Sequence, residues 1–387
     1  MRGAHAERQV CGVQTAWTNV DTPETAVAEI AEAMDIEDIG QLLVFFSQPH
    51  EAEALSHALS EAFEGVPVAG CSTSGEITPA GFSERSILVV AFPKAGFRFV
   101  SCVVPEVRVL SVERATEAVQ ALRAGLDKVE GEHYPNKFAV SLIDGLSKCE
   151  EAIVSAFAWA LDDIPLVGGS AGDGLTLSGT SLLHDGQVHR GAALLLLVET
   201  AHLVRSFYCD HFEPTDTKLV VTASETSSRT VYELNAEPAA LEYANSVGLE
   251  PSSLAPMSFA AHPVVVRIGG NYYCRSIQRV NDDASLSFFC AIDDGVVLTV
   301  AEPTDMVESM EAELERLDAA IGDVDFVLGF ECVLRRLDAE NRQVKHKVSD
   351  LYRRYNVVGF HTYGEQYNAM HLNQTFTGVA IGRHGAS

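Results

Sequence analysis

Two segments far apart in the chain share the pattern Gly-x-x-Thr-x-Gly-Glu: Gly70-Cys71-Ser72-Thr73-Ser74-Gly75-Glu76 and Gly359-Phe360-His361-Thr362-Tyr363-Gly364-Glu365. A looser copy, Gly168-Gly169-Ser170-Ala171-Gly172-Asp173-Gly174, lies between them. Glycines let a backbone approach a bound molecule closely, so hydroxyls and carboxylates beside them suit ligand binding in a composite pocket. The same carboxylates, Glu76 and Glu365, are equally suited to capping helix N-termini. None of the copies has the Lys-Ser/Thr of a P-loop or the Rossmann Gly-x-Gly-x-x-Gly spacing, which argues against a nucleotide. Asp144 and Asp173 sit where α/β proteins place ligand contacts. Neither has a convincing base or metal partner, so both read as loop caps. His184 and His189 flank Asp185-Gly186, but no cysteine or carboxylate cluster completes a metal geometry. With no Gly-x-Ser-x-Gly at a strand-to-helix turn either, the chain is expected not to be an enzyme.

The elements that must hold these turns repeat with them. Each copy follows an apolar run (42–46, 138–143, 326–330), an amphipathic stretch and a short apolar run into the glycine (66–69, 164–167, 357–358). That reads as strand, helix, strand and turn, written three times. Helical periodicity also covers 22–34, 50–63, 112–129, 149–161, 231–245 and 305–321. Hairpins are expected for 87–92 with 97–104 across Pro93-Lys94-Ala95-Gly96, and for 180–184 with 191–198 across Asp185-Gly186. Further strands are expected over 264–268, 272–280, 286–291, 296–300 and 375–381. The class is mixed α/β, with two related lobes, mixed sheets, repeated βαβ-glycine-turn units and antiparallel hairpins. A boundary within the Ser/Thr-rich stretch 214–228 gives domains 1–220 and 221–387.

With 27 Lys+Arg against 54 Asp+Glu, the formal net charge is −27. Such a surface repels phosphate backbones and anionic lipid, so nucleic-acid and membrane binding are not expected. No apolar run approaches a bilayer span, and residues 1–10 lack the apolar core of a secretion signal, so a cytoplasmic protein is expected. The eight scattered cysteines form no C-x-x-C or C-x-x-C-H. They point away from zinc, covalent haem and disulfides, and read as small buried hydrophobes.

The turns at Gly70 and Gly359, the hairpin Leu183-His184-Asp185-Gly186 and the tail Asn373-Gln374-Thr375 resemble the FIST family of sensory proteins, from about Val13 to Gly382. The tail Tyr367-Asn368-Ala369-Met370-His371-Leu372-Asn373-Gln374-Thr375 is similar to the branch of nitric-oxide-sensing haemoproteins called NosP. That resemblance implies non-covalent haem b, with His371 as axial iron ligand and His361 as competing ligand or distal residue. Met370, Phe376 and Tyr363 would help form the cofactor pocket, and Glu365 or Asn368 would orient the ligating imidazole. It also implies nitric oxide as input and signal transduction, as in a two-component system, through a separate sensor histidine kinase or cyclic-di-GMP synthase or phosphodiesterase. A homodimer is compatible with the sequence. The alternative is a haem-free FIST sensor of a small metabolite such as an amino acid.

Overall fold

The computed structural model describes residues 3–129 and 131–385. It is mixed α/β, with several sheets that combine parallel and antiparallel strands. The larger of its two lobes consists of the three repeats. In each, two strands run parallel around a helical connection: Ile39–Phe46 with Val68–Ser72, Asn136–Ile143 with Leu166–Ser170, and Val324–Cys332 with Val357–Thr362. A return strand then pairs antiparallel with the first: Ile87–Pro93, Ala193–Thr200 and Phe376–Gly385 respectively.

The hairpin that follows each glycine turn leaves its own sheet. Glu76–Thr78 pairs with Val357–Thr362 of the third repeat, Leu182–His184 with Val68–Ser72 of the first, and Glu365–Tyr367 with Leu166–Ser170 of the second. The strands after the return strands also pass onward. Phe97–Val104 joins the second sheet and His202–Cys209 the third, while the N-terminal strands His5–Arg8 and Gln14–Thr18 extend the first. The three sheets are thus locked in a closed cycle.

Strand alternation follows from this arrangement. Leu43, Phe45, Val140, Leu142, Leu328 and Phe330 face one shared interior. The opposite faces are covered by helix pairs: Pro23–Ala33 with Ala52–Ala62, Val112–Leu126 with Glu150–Leu161, and Met306–Ile321 with Lys345–Arg354. The second lobe lies between Phe212 and Pro303. Its strands belong to the eight-stranded sheet, and helices Ala239–Ser246 and Pro256–Ala261 help enclose a core of its own.

Several expected elements differ. Ile87–Pro93 and Phe97–Val104 are strands but do not form a hairpin with each other, because they serve different sheets. Asp185-Gly186 does turn a hairpin, with the shorter partner Gln187–His189. Residues 231–245 are not one helix. Val231 and Leu234 are buried on strand Thr230–Leu234, Asn235 and Ala236 turn the chain with positive φ, and the helix begins at Ala239. Strand Phe212–Glu225 runs through most of the Ser/Thr-rich stretch 214–228. All eight cysteines are free and six are buried, so the small-hydrophobe reading applies to most of them.

Candidate ligand-binding site

The first glycine of each turn sits where parallel strands approach closely. A Cβ on Gly70, Gly168 or Gly359 would lie 2.1, 2.0 or 1.7 Å from the carbonyl oxygen of Val44, Ser141 or Gly329. That explains why the same glycine begins all three copies. The turns then interlock through backbone hydrogen bonds. Ser74 N donates to His361 O and His361 N to Gly75 O; Gly172 N donates to Ser72 O; Ser170 N donates to Gly364 O and Tyr363 N to Ser170 O.

Glu76 and Glu365 cap no helix. Each opens the hairpin strand after its turn and ties that turn to its surroundings. Glu76 accepts from Ser47 Oγ (2.9 Å), Thr73 Oγ1 (2.6 Å) and Ser86 Oγ (2.5 Å). Glu365 accepts from Thr375 N (3.1 Å), Thr375 Oγ1 (2.8 Å) and Thr362 Oγ1 (3.4 Å). Burial outweighs these hydrogen bonds and pushes the carboxyls up to about 7 and about 8.

An open cleft of about 370 Å³ lies where the first two turns meet. It is at the carboxyl ends of Ile39–Phe46 and Val68–Ser72, the end at which open α/β sheets bind ligands. Gln48, His50, Ser72, Thr73, Gly172, Asp173, Ser181 and Arg190 contribute to its lining. A neighbouring cleft of about 290 Å³ shares Gln48 and Asp173 and extends past Gly75 to Arg336. Each is near the lower end of the range usual for small-molecule sites.

Asp173 organises the floor. It accepts from Leu177 N (2.9 Å), Ser178 N (2.6 Å) and Gly179 N (2.9 Å), and from the Tyr363 hydroxyl. Burial would raise its pKa, but hydrogen bonds from Tyr363, Gly179 and Ser178 hold it down to about 2. It therefore stays ionised with its oxygens engaged. His50 is different. It is buried beside the cleft, neither ring nitrogen has a hydrogen-bond partner, and burial holds its pKa below the usual histidine value. A neutral imidazole presents one donor and one acceptor. At the rim, Arg190 pairs with Glu53 at 2.9 Å. The sequence reading missed His50 and Arg190. His50 carries a signal in its position, four residues after the end of a repeat's first strand; Arg190 carries none.

The residues expected around a haem are scattered. His361 is buried at the third turn, edge-on to Phe82 with ring centroids 4.6 Å apart, and its Nδ1 is 3.4 Å from Glu331 Oε2. Glu331 belongs to a buried polar chain, with Arg335 at 3.3 Å, then His211 at 2.6 Å, then Asp338 at 3.2 Å. His371 lies on the hairpin strand Met370–Leu372, and burial pushes its pKa down to about 4; Glu151 opposes the shift, while Arg229 and Arg275 reinforce it. It is therefore neutral, as an iron ligand must be. However, its ring packs on Gly364, where a Cβ would lie 2.1 Å from Cε1 and 2.6 Å from Nε2.

Phe376 belongs to another core, against Phe207 and Tyr352. Tyr363 is committed to Asp173, Glu365 to Thr375, and Met370 is only half-buried. Neither cleft described above is lined by His361 or His371. These surroundings do not fit an axial ligand with a porphyrin on it. Among the described residues, no group of three or more His, Cys, Asp or Glu is placed to hold a metal ion, and no helix is long and apolar enough to cross a membrane.

Comparison with known proteins matches the FIST N domain to residues 41–237 and the FIST C domain to residues 239–368. An uncharacterized protein of Methanocaldococcus jannaschii is 24% identical over a 382-residue alignment covering 87% of this chain and 73% of that protein. A solved cyanuric acid hydrolase aligns over 98% of this chain and 100% of its own, at 7% identity and a TM-score of 0.39. That likeness is too loose to carry an activity across.

Proposed function

Because this chain belongs to the FIST family of sensory domains, we propose that it is a sensor whose small polar ligand sits in the cleft between the first two glycine turns. The observation that carries this reading is His50, buried at the cleft with both ring nitrogens unpartnered. Buried polar groups ordinarily have partners, so a ligand group that pairs with this imidazole gains interactions the free protein lacks. Ser72 and Arg190 add a hydroxyl and a cation, a set suited to a small metabolite such as an amino acid.

The clefted turn is hydrogen-bonded to both neighbouring repeats. A ligand that prefers one arrangement of it thereby biases a surface seen elsewhere on the molecule. We assign the output to a separate signalling protein, a sensor histidine kinase or a cyclic-di-GMP synthase or phosphodiesterase, with no chemistry performed by this chain. The sensory role of the family supports that assignment.

The test is calorimetric titration with a panel of amino acids and related small metabolites, on the native chain and on His50→Ala. The expected result is a ligand whose affinity falls at least tenfold in the variant. A ligand that binds both proteins equally would overturn the site.

A haem-bound nitric oxide sensor is the second reading. It is favoured by the resemblance of residues 367–375 and by the neutral, buried imidazole of His371. It makes the opposite prediction: a visible Soret band, shifted by nitric oxide, lost in His371→Ala and retained in His50→Ala.

A further inference from the structure

We propose that a second pocket, where the two lobes meet, binds a small organic anion with an apolar body, of the aryl carboxylate or aryl phosphate class. The pocket encloses about 230 Å³, room for one ring and a charged head. Its walls come from the loop after the second repeat's first strand, from Leu177, and from three segments of the second lobe. Leu146, Leu177, Phe288 and Phe289 supply the apolar side.

The polar side is cationic in a protein that carries a formal charge of −27. Lys148, Arg229 and Arg279 all line the pocket. Arg229 is buried, spanning Glu150 and Glu151 at 2.5 Å each, with Nη1 on the Phe289 carbonyl at 2.5 Å and Nε without an acceptor. Lys148 donates to Ser228 O (3.2 Å) and Arg279 to Asn281 Oδ1 (3.2 Å). Among the described residues, neither of these two cations forms a salt bridge. The concentration of positive charge registers on Lys148, whose pKa is lowered by burial and then by Arg229, Arg279 and Arg108. Acidic side chains are twice as numerous as basic ones in this chain, yet among the described residues none forms a salt bridge with Lys148 or Arg279. An incoming anion would fill that role, while its ring covers Phe288 and Phe289. A neutral molecule of the same shape gains only the apolar part.

Isothermal titration of the full chain with phenyl phosphate, benzoate and benzyl alcohol tests this. Both anions are expected to bind and the alcohol not, with affinity falling as salt rises from about 20 to about 200 mM. Lys148→Gln and Arg279→Gln change exposed side chains and leave the core intact. Each is expected to weaken the anions severalfold, and the pair together more than tenfold. His50→Ala is expected to leave them unchanged, which separates this pocket from the proposed sensory cleft. Absence of heat from either anion at about 5 mM, equal binding of the alcohol, or affinity that survives the double substitution would each overturn the proposal.

Discussion

Glu365 offers a direct measure of what the glycine turns cost to build. The carboxyl is fully buried, and burial pushes it from 4.5 up to about 8. Between those values the folded chain keeps a proton that the unfolded chain releases. Stability is therefore greatest below pH 4.5, as far as this group is concerned, and declines as pH rises toward 8. Each pH unit in that window costs about 1.4 kcal/mol, so Glu365 alone would remove about 3 kcal/mol by pH 7 and about 4 kcal/mol by pH 8. In Glu365→Gln the amide oxygen keeps the bonds from Thr375 N and Oγ1, and the amide nitrogen faces Thr362 Oγ1, already the weakest contact at 3.4 Å. The variant should match the native chain near pH 5 and exceed its stability by a few kcal/mol at pH 8. Equilibrium urea unfolding at half-unit steps from pH 5 to 9 reads this directly. A constant difference across that range would refute the reasoning, because it would show that the carboxyl has the same proton affinity folded and unfolded.

Other outcomes follow from the same geometry. Gly70→Ala drives a Cβ to 2.1 Å from Val44 O, a backbone clash that should leave little soluble protein. Gly65→Ala, at φ +77 with open space around it, should cost only about 1 kcal/mol by thermal unfolding. Phe360→Ala removes a ring packed against Phe45 and Phe330, with centroids 4.7 and 5.5 Å away, and should cost about 3–5 kcal/mol. Its m-value should stay unchanged if the three repeats unfold as one unit. Asp173→Asn removes a carboxylate held down to about 2. Its stabilisation is present above pH 3.8 and lost as pH falls through 2, so the variant should lose about 2 kcal/mol at pH 7 and almost nothing at pH 2.

The three-fold repeat of strand, helix, strand and turn was legible because apolar runs and glycines are local signals, and the parallel pairs formed where those runs lay. The destination of each hairpin was not. Glu76–Thr78, Leu182–His184 and Glu365–Tyr367 pair with strands of a different repeat, and nothing in a short alternating segment names its neighbour. The same blindness made a hairpin of 87–92 and 97–104. The segment 231–245 was misread because Ala-rich helical periodicity after Ala239 overshadowed two buried strand residues, Val231 and Leu234. Among candidate site residues, His371 and His361 stood out for their glycine-rich and motif-bearing surroundings, yet each is enclosed by packing. His50 offered only its place four residues after the end of a repeat's first strand, and its significance appears only when the second repeat's turn and loop are laid beside it.

Near-equivalence of the three turns explains why the cleft opens at one junction. Ser72, Ser170 and His361 occupy the same place in the three copies. At the third turn the imidazole, Phe82 and the Glu331–Arg335 pair fill the space. At the second, Ser170 lies under Gln366, which donates to its hydroxyl at 2.9 Å, and Tyr363 reaches across to Asp173. At the first, Ser72 lies in the cleft wall and is followed by Thr73, whose hydroxyl turns inward to Glu76 at 2.6 Å. A repeat that is structurally necessary three times thus leaves room for a ligand where the small side chains of the first two turns meet. Enlarging one of them should close it: Ser72→Phe is expected to abolish ligand binding in the cleft while leaving anion binding at Lys148 and Arg279 intact. Loss of both would mean that the substitution disturbs the cycle of sheets and not the cleft alone.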